Sequence, residues 1–338
     1  MLDIADSRFT DSHWQRYFDL MVQLRRRYHA NLTAESWPSF KQRLLSLQSK
    51  EPARRRWVLF ENDTAIAWLE FRLEHAGTSQ PETWIFADVN FDDIPGQLCR
   101  RLARQLHSAM QEFRVTEGVM PALDRRLSVL CERWQGRRLN GLNEYVLHRE
   151  EADLDLIRSW ATDFPHRYPD LRLQFFPETP LDRAEEFAEL LQTCLRDMPE
   201  EGESGISIRV DVADLRRQAR WRRENDEPSY KYILFNKLDE MIGLTICSIN
   251  LRNPIDINQD MTGLRRDYRG KGLAKWLKAA MFFKIAEDFP DNRVVITVMR
   301  SVNEPMQHIN SQMGFVLRRA GGEYRISRSN LRELCDSQ

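Results

Sequence analysis

The sequence predicts an α/β protein, a mixed α+β sheet flanked by helices and built as two tandem copies of one unit. Three observations lead there. Strand-like and helix-like periods alternate along the chain, and the order of elements in the first half returns in the second. The length of 338 residues, with 42% hydrophobic and 30% charged content, exceeds what one core usually organises.

Amphipathic helical stretches open the chain at Ser12 to Arg27 and Trp37 to Leu47, the first with Trp14, Tyr17, Phe18, Met21 and Leu24 at helical spacing. Arg56 to Phe60, a turn at Glu61-Asn62-Asp63, Ala65 to Leu73 and Thr83 to Val89 read as three antiparallel strands. A helix over Gly96 to Phe113, a shorter one from Asp124 and a stretch at Glu144 to Leu147 follow. Pro165, Pro169, Pro177 and Pro180 cluster around a strand at Leu171 to Phe176, which sets the expected division at residues 1–165 and 170–338. The second half then reads as helices at Asp182 to Leu195 and Ala213 to Arg223, joined by a polar loop from Met198 to Gly205. A hairpin over Tyr230 to Ile249 comes next, then a strand at Asp260 to Leu264 and a helix from Gly272 to Phe289. The strand Val294 to Val298, a helix from Glu304 to Met313 and a strand near Phe315 to Arg318 close the chain. Glu61 to Glu70 overlies Lys237 to Ile246 at an offset of about 176, and Val89 falls on Leu264.

Composition narrows the function. Fifty basic residues against 51 acidic ones leave a net charge of −1, which favours neither nucleic acid nor an anionic membrane, and no basic-aromatic face stands out. Five cysteines without a CxxC pair suggest neither a disulfide framework nor a metal site. No apolar run approaches the roughly eighteen residues of a membrane helix, and the N-terminus lacks a signal pattern. A cytoplasmic enzyme, monomeric or homodimeric, is expected.

The chemistry concentrates after Leu264. Arg269-Gly270-Lys271-Gly272-Leu273-Ala274 follows a strand and leads, through Lys275, into an apolar-periodic helix. Backbone N–H groups at a helix start lack intrahelical partners and carry partial positive charge, so a pyrophosphate sits well there. Glycine at 270 and 272 lets the phosphates approach. Arg269 and Lys271 add charge-assisted contacts worth ~1–3 kcal/mol each when well placed. An ordinary helix start with two glycines is the alternative.

This segment resembles the coenzyme A signature of the GNAT superfamily of N-acyltransferases, which reads Gln or Arg, two residues, Gly, any residue, then Gly or Ala. Thr297, Asn303, Pro305-Met306 and Ile309-Asn310 through Gly314-Phe315 resemble the strand, helix and closing Gly-Phe of its tandem-domain members. In register, the first half reads Ile94-Pro95-Gly96-Gln97-Leu98-Cys99, which resembles a binding loop that has been lost. A structural or substrate-cleft role is therefore expected for the first domain, with one acetyl-CoA site per chain in the second.

The resemblance implies direct transfer: the coenzyme lies in a V between two parallel strands, and an amine attacks the thioester without an acyl-enzyme. Thr262 and Gly263 would run beside the pantetheine, with the Leu264 backbone N–H as oxyanion donor. An amine is mostly protonated near pH 7, so a base is needed. Regular strand alternation puts Asn258, Asp260, Thr262 and Leu264 on one face, making Asp260 the first candidate base; a solvated or capping aspartate is the alternative. Glu200 and Glu201 lie in a loop where the family admits substrate, although loop charges are usually only solvated. Where many family members carry an acidic tyrosine this chain has Asn310, able to donate to the sulfur but not to protonate it. His308 is expected on another face, and Asn303 as a helix cap that also contacts the cofactor arm. Arg216, Arg217, Arg220, Arg222 and Arg223 either meet an anionic partner or form a solvated face. The leading expectation is N-acetylation of a primary amine of a small molecule, an amine-bearing antibiotic in self-resistance being one instance. A non-catalytic acetyl-CoA sensor is the alternative.

Overall fold

A computed structural model describes residues 1–27, 36–50, 53–74, 82–201, 209–251 and 254–336. In chain order the elements are β1 (Leu2–Asp3), α1 (Asp11–Arg26), α2 (Trp37–Lys50), β2 (Arg54–Glu61), β3 (Thr64–Glu74), β4 (Glu82–Val89), α3 (Gly96–Glu112), β5 (Glu117–Ala122), α4 (Arg125–Arg133), β6 (Arg137–His148) and α5 (Leu154–Arg167). They continue with β7 (Arg172–Phe176), α6 (Ala184–Arg196), α7 (Val212–Glu224), β8 (Ser229–Phe235), β9 (Met241–Ile249), β10 (Asp256–Leu264), α8 (Leu273–Asp288), β11 (Val294–Arg300), α9 (Glu304–Met313), β12 (Val316–Ser327) and α10 (Arg328–Asp336). The mixed α/β architecture expected from the sequence is present, although the end of the Met198 to Gly205 loop lies outside the described residues.

Two compact units form. One contains Met1–Asn143, Glu201–Ser204 and Arg319–Gln338, the other Glu144–Glu200 and Gly205–Arg318. In the first, strands run in the order β1-β2-β3-β4-β5-β12; in the second, β11-β10-β9-β8-β7. Residues 165–170 thus fall inside the second unit. Pro165 sits inside the last turn of α5, where it forgoes its own i→i−4 hydrogen bond and the helix ends two residues later. The last strand is also longer than its sequence suggests, because Gly321 serves a close approach to β5: a Cβ there would lie 1.8 Å from the Ala122 carbonyl oxygen.

The repeat is visible in the irregularities. The β2–β3 ladder shifts register between Leu59 and Phe60, the β8–β9 ladder between Leu234 and Phe235, 175 residues later. Both hairpins turn through an aspartate with positive φ, Asp63 at 64° and Asp239 at 62°. The units then diverge. β4 pairs β3 without interruption from Glu82 to Val89, whereas β10 shifts against β9 between Gln259 and Met261.

In the second unit α8 buries Leu273, Trp276, Leu277 and Phe282 against the sheet together with Trp160 and Phe164 of α5. Phe187, Leu190 and Cys194 of α6 and Leu215 of α7 cover Ile233, Phe235 and Leu244. Burial raises the thiol pKa of Cys194 to about 11 and that of Cys247 further still. Both are core residues with no nucleophilic character near neutral pH.

Candidate functional site

β10 and β11 are parallel neighbours for only three registered pairs, Asp256 with Val294 through Asn258 with Ile296. Beyond them the strands part, and the Thr297 hydroxyl donates to the Gln259 carbonyl at the fork (3.0 Å). A cleft of about 650 Å³ opens there, within the usual size of small-molecule sites. Gln259 to Leu264 and Thr297 to Arg300 form its two walls, and the turn after β10 closes one end.

That turn explains its own sequence. Gly270 and Gly272 have φ of +73° and +77°, a left-handed conformation that costs other residues ~1–2 kcal/mol. Gly272 is the N-cap of α8 and has no side chain to satisfy the first-turn N–H groups; the Lys275 N–H donates to the Gly272 carbonyl (2.8 Å), which leaves those of Leu273 and Ala274 to a ligand. A Cβ on Gly272 would also lie 2.7 Å from the Phe164 ring, while one on Gly270 would meet nothing within 4 Å. Leu273, Ala274 and Lys275 continue the lining, and Asn303 joins it while its side chain accepts from the Met306 N–H (3.4 Å) as the α9 cap. In the first unit the equivalent turn is different: Ile94 is packed into the core, and Pro95, without an N–H, is the cap residue of α3.

Several expected roles need correction. Arg269 does line the cleft, and it also donates to the Leu264 carbonyl (3.0 Å) and pairs with Asp197 (2.9 Å), which ties the turn to β10 and to the end of α6. Lys271 does not line the cleft; its ammonium turns back to the Asp267 carbonyl (2.9 Å) and lies over the Tyr268 ring. Asn310 is fully buried behind the wall, with its amide nitrogen 4.0 Å from the Met299 sulfur, and Met299 and Ile309 line the cleft in its place. Glu201 does not line the cleft either: its N–H donates to Asn140 (3.1 Å), and the loop contributes Met198 and Pro199. His308, expected elsewhere, does line it.

The bulge in β10 overturns the simple alternation. Ser248 donates to the Asp260 carboxylate, whereas the Thr245 and Thr262 hydroxyls pair at 2.8 Å. Thr245 and Ser248 are three residues apart on regular β9 and so face opposite sides. Asp260 therefore looks toward the α6 and α7 side of the sheet, and Thr262 toward α8. Crowding by the protein raises the Asp260 pKa, opposed by the Ser248 hydrogen bond and by Arg222 and Lys231. Its side chain keeps contact with solvent, so water in the cleft moderates that rise.

On the α8 side lies a residue that sequence reading passed over. Lys278, 2% exposed, donates to Gln259, whose own amide reaches Thr245 (3.2 Å) and the neighbourhood of Thr262 (3.5 Å). The chain of contacts holds the bulge from below. A lysine between Leu277 and Ala279 in a helix apolar on nearly every side was the available signal. Desolvation lowers the Lys278 pKa to about 7. A lysine depressed in the fold but ordinary in the unfolded chain makes stability rise as pH climbs from about 7 to about 10.4. Lys278→Met should be more stable than wild type at pH 6, with the gap closing between pH 7 and 10 in denaturant titrations. A gap independent of pH would contradict the buried ammonium.

No family model matches the sequence, and no curated protein matches it. Solved structures do. A tandem GNAT protein from the clavulanic acid biosynthesis pathway superposes with a TM-score of 0.66 over 97% of each chain, at 18% identity. A GCN5-related N-acetyltransferase from Sphaerobacter thermophilus gives 0.57 over 85% of each chain at 11% identity. Another from Kribbella flavida gives 0.50 over 84% of this chain and 94% of that one, at 8% identity. Identities this low establish architecture and leave chemistry to the site itself: this chain has the tandem GNAT fold.

Proposed function

We propose that the second unit binds acetyl-CoA and transfers its acetyl group to a primary amine of a small molecule, with one working site per chain. The observation that carries the reading is the fork between β10 and β11, which ends on a glycine turn with the uncapped N-terminus of α8 exposed to the cleft. Backbone N–H groups of the turn and of the first turn of α8, from Gly270 to Ala274, would hold the diphosphate, and the splayed walls would admit the pantetheine arm.

At the bulge the backbone turns out of its ladder, and the Leu264 N–H remains the candidate oxyanion donor. Asp260, solvent-accessible and raised in pKa, removes the proton of the attacking amine. The C–N bond forms, the C–S bond breaks, and the thiolate leaves with the electron pair. A thiol with a pKa of about 8.5 is a good enough leaving group to take its proton from water, so Asn310 has no acid role. Inactivation of an amine-bearing antibiotic is a narrower version of the same proposal.

Thiol release from acetyl-CoA with a panel of amines tests the reading. Release that depends on the amine is expected. Tight acetyl-CoA binding with no release above hydrolysis for any amine would favour a sensor instead.

A further inference from the structure

On the Asp260 side of the sheet, two strands away, is a second cavity of about 180 Å³. Lys231 of β8, Arg222 and Arg223 of α7, and Glu178 and Asp226 line it. Lys231 stands opposite Ile246 of β9, and Ser229, also in the lining, stands opposite Ser248, the residue that donates to Asp260. Two strand spacings separate the backbones of Lys231 and Asp260 by about 10 Å.

The charges around this cavity do not cancel. Arg223 is paired with Glu178, whose pKa it holds down. Lys231 is 3% exposed, and its ammonium donates to the Ser229 carbonyl (2.6 Å); among the described residues it makes no ion pair. Arg222 has a 3.4 Å contact to the Glu227 carbonyl and, among the described residues, no ion pair either. Two cations thus face one cavity on the same side of the sheet as the candidate base, one of them desolvated, and a buried charge with no ion pair is costly. A ligand anion would offset that cost. A carboxylate, which an arginine fork such as that of Arg222 can meet with two parallel N–H groups, is the simplest such anion.

We infer that this cavity is an acceptor subsite, and that the amine substrate also carries a carboxylate, held by Lys231 and Arg222 while its amino group reaches Asp260. The inference rests on the acetyl-transfer reading for the amine, but not for the anion. Burial and Arg222 lower the Lys231 pKa to about 7, with Asp260 and Glu178 acting the other way. Anion binding should therefore strengthen as pH falls through about 7, and it is tested on the acid side, at pH 6.5.

Calorimetric titration with succinate at pH 6.5 is the first arm, on wild type, Lys231→Met and Arg222→Met. Methionine keeps most of the lysine volume, and circular dichroism checks the fold. Millimolar or tighter binding that weakens tenfold or more in each variant is expected. The second arm compares 6-aminohexanoate with hexylamine in thiol release, where wild type should prefer the carboxylated amine at least tenfold in kcat/KM and Lys231→Met should bring the ratio near one. Succinate binding lost in the variants, with no amine turned over, would keep the anion site and sink the transfer reading. Equal succinate affinity in wild type and both folded variants would overturn the subsite, whatever the amine assay shows.

Discussion

Gly270→Glu should abolish acetyl-CoA binding and turnover while leaving the protein folded. At position 270 a Cβ meets nothing within 4 Å, so the structural cost is the positive φ alone, ~1–2 kcal/mol. That is small against the 5–15 kcal/mol or so that keeps a domain folded. A carboxylate placed about 4 Å from a phosphate charge costs about 4 kcal/mol at an effective dielectric of 20, close to three orders of magnitude in affinity. Gly272→Glu should lose binding as completely, but with a lower melting temperature, because its Cβ also runs into Phe164. Gln97→Glu, at the exposed matching position of the first unit, should change turnover little. Calorimetric titration with acetyl-CoA and thermal melts on all three separate the effects; equal losses at 270 and 97 would contradict a single site.

Asp260→Asn should lower kcat by roughly 10²- to 10⁴-fold, the range expected for losing a general base, with acetyl-CoA affinity kept. The sign of the pH effect follows from its pKa, which is raised above the ordinary carboxylate value. Activity in wild type requires the deprotonated form, so kcat/KM should rise with pH through that raised pKa. In the variant this acid limb should disappear. If the pH profile of Asp260→Asn keeps the same limb, or kcat falls less than threefold, the proton goes elsewhere, with a water chain or His308 as the next place to look.

How much of this was legible in the residues depends on what each feature needs. Helix and strand periods are local, and every element read from them is present, from α1 to α9. The glycine turn is local too, since Gly270 and Gly272 announce a left-handed backbone that few other residues accept. What failed was non-local. The β10 bulge depends on pairing with β9, so alternation alone placed Asp260 beside Thr262 when the two face opposite sides. Pro165 was read as a boundary because a breaker in the last turn of a helix looks the same in sequence as one beyond it. Lys231 and Lys278 were missed for a related reason. A buried cation is identified by its missing neighbours, and those come from β9, β10 and α7.

Hydrogen exchange of wild type with and without acetyl-CoA tests the central claim most directly. The amides from Gly270 to Ala274 should gain protection, together with β10 from Gln259 to Leu264, while 94–99 stay unchanged. Protection absent from the 270–274 turn, or appearing at 94–99 in its place, would contradict the assignment of that turn as the diphosphate cradle.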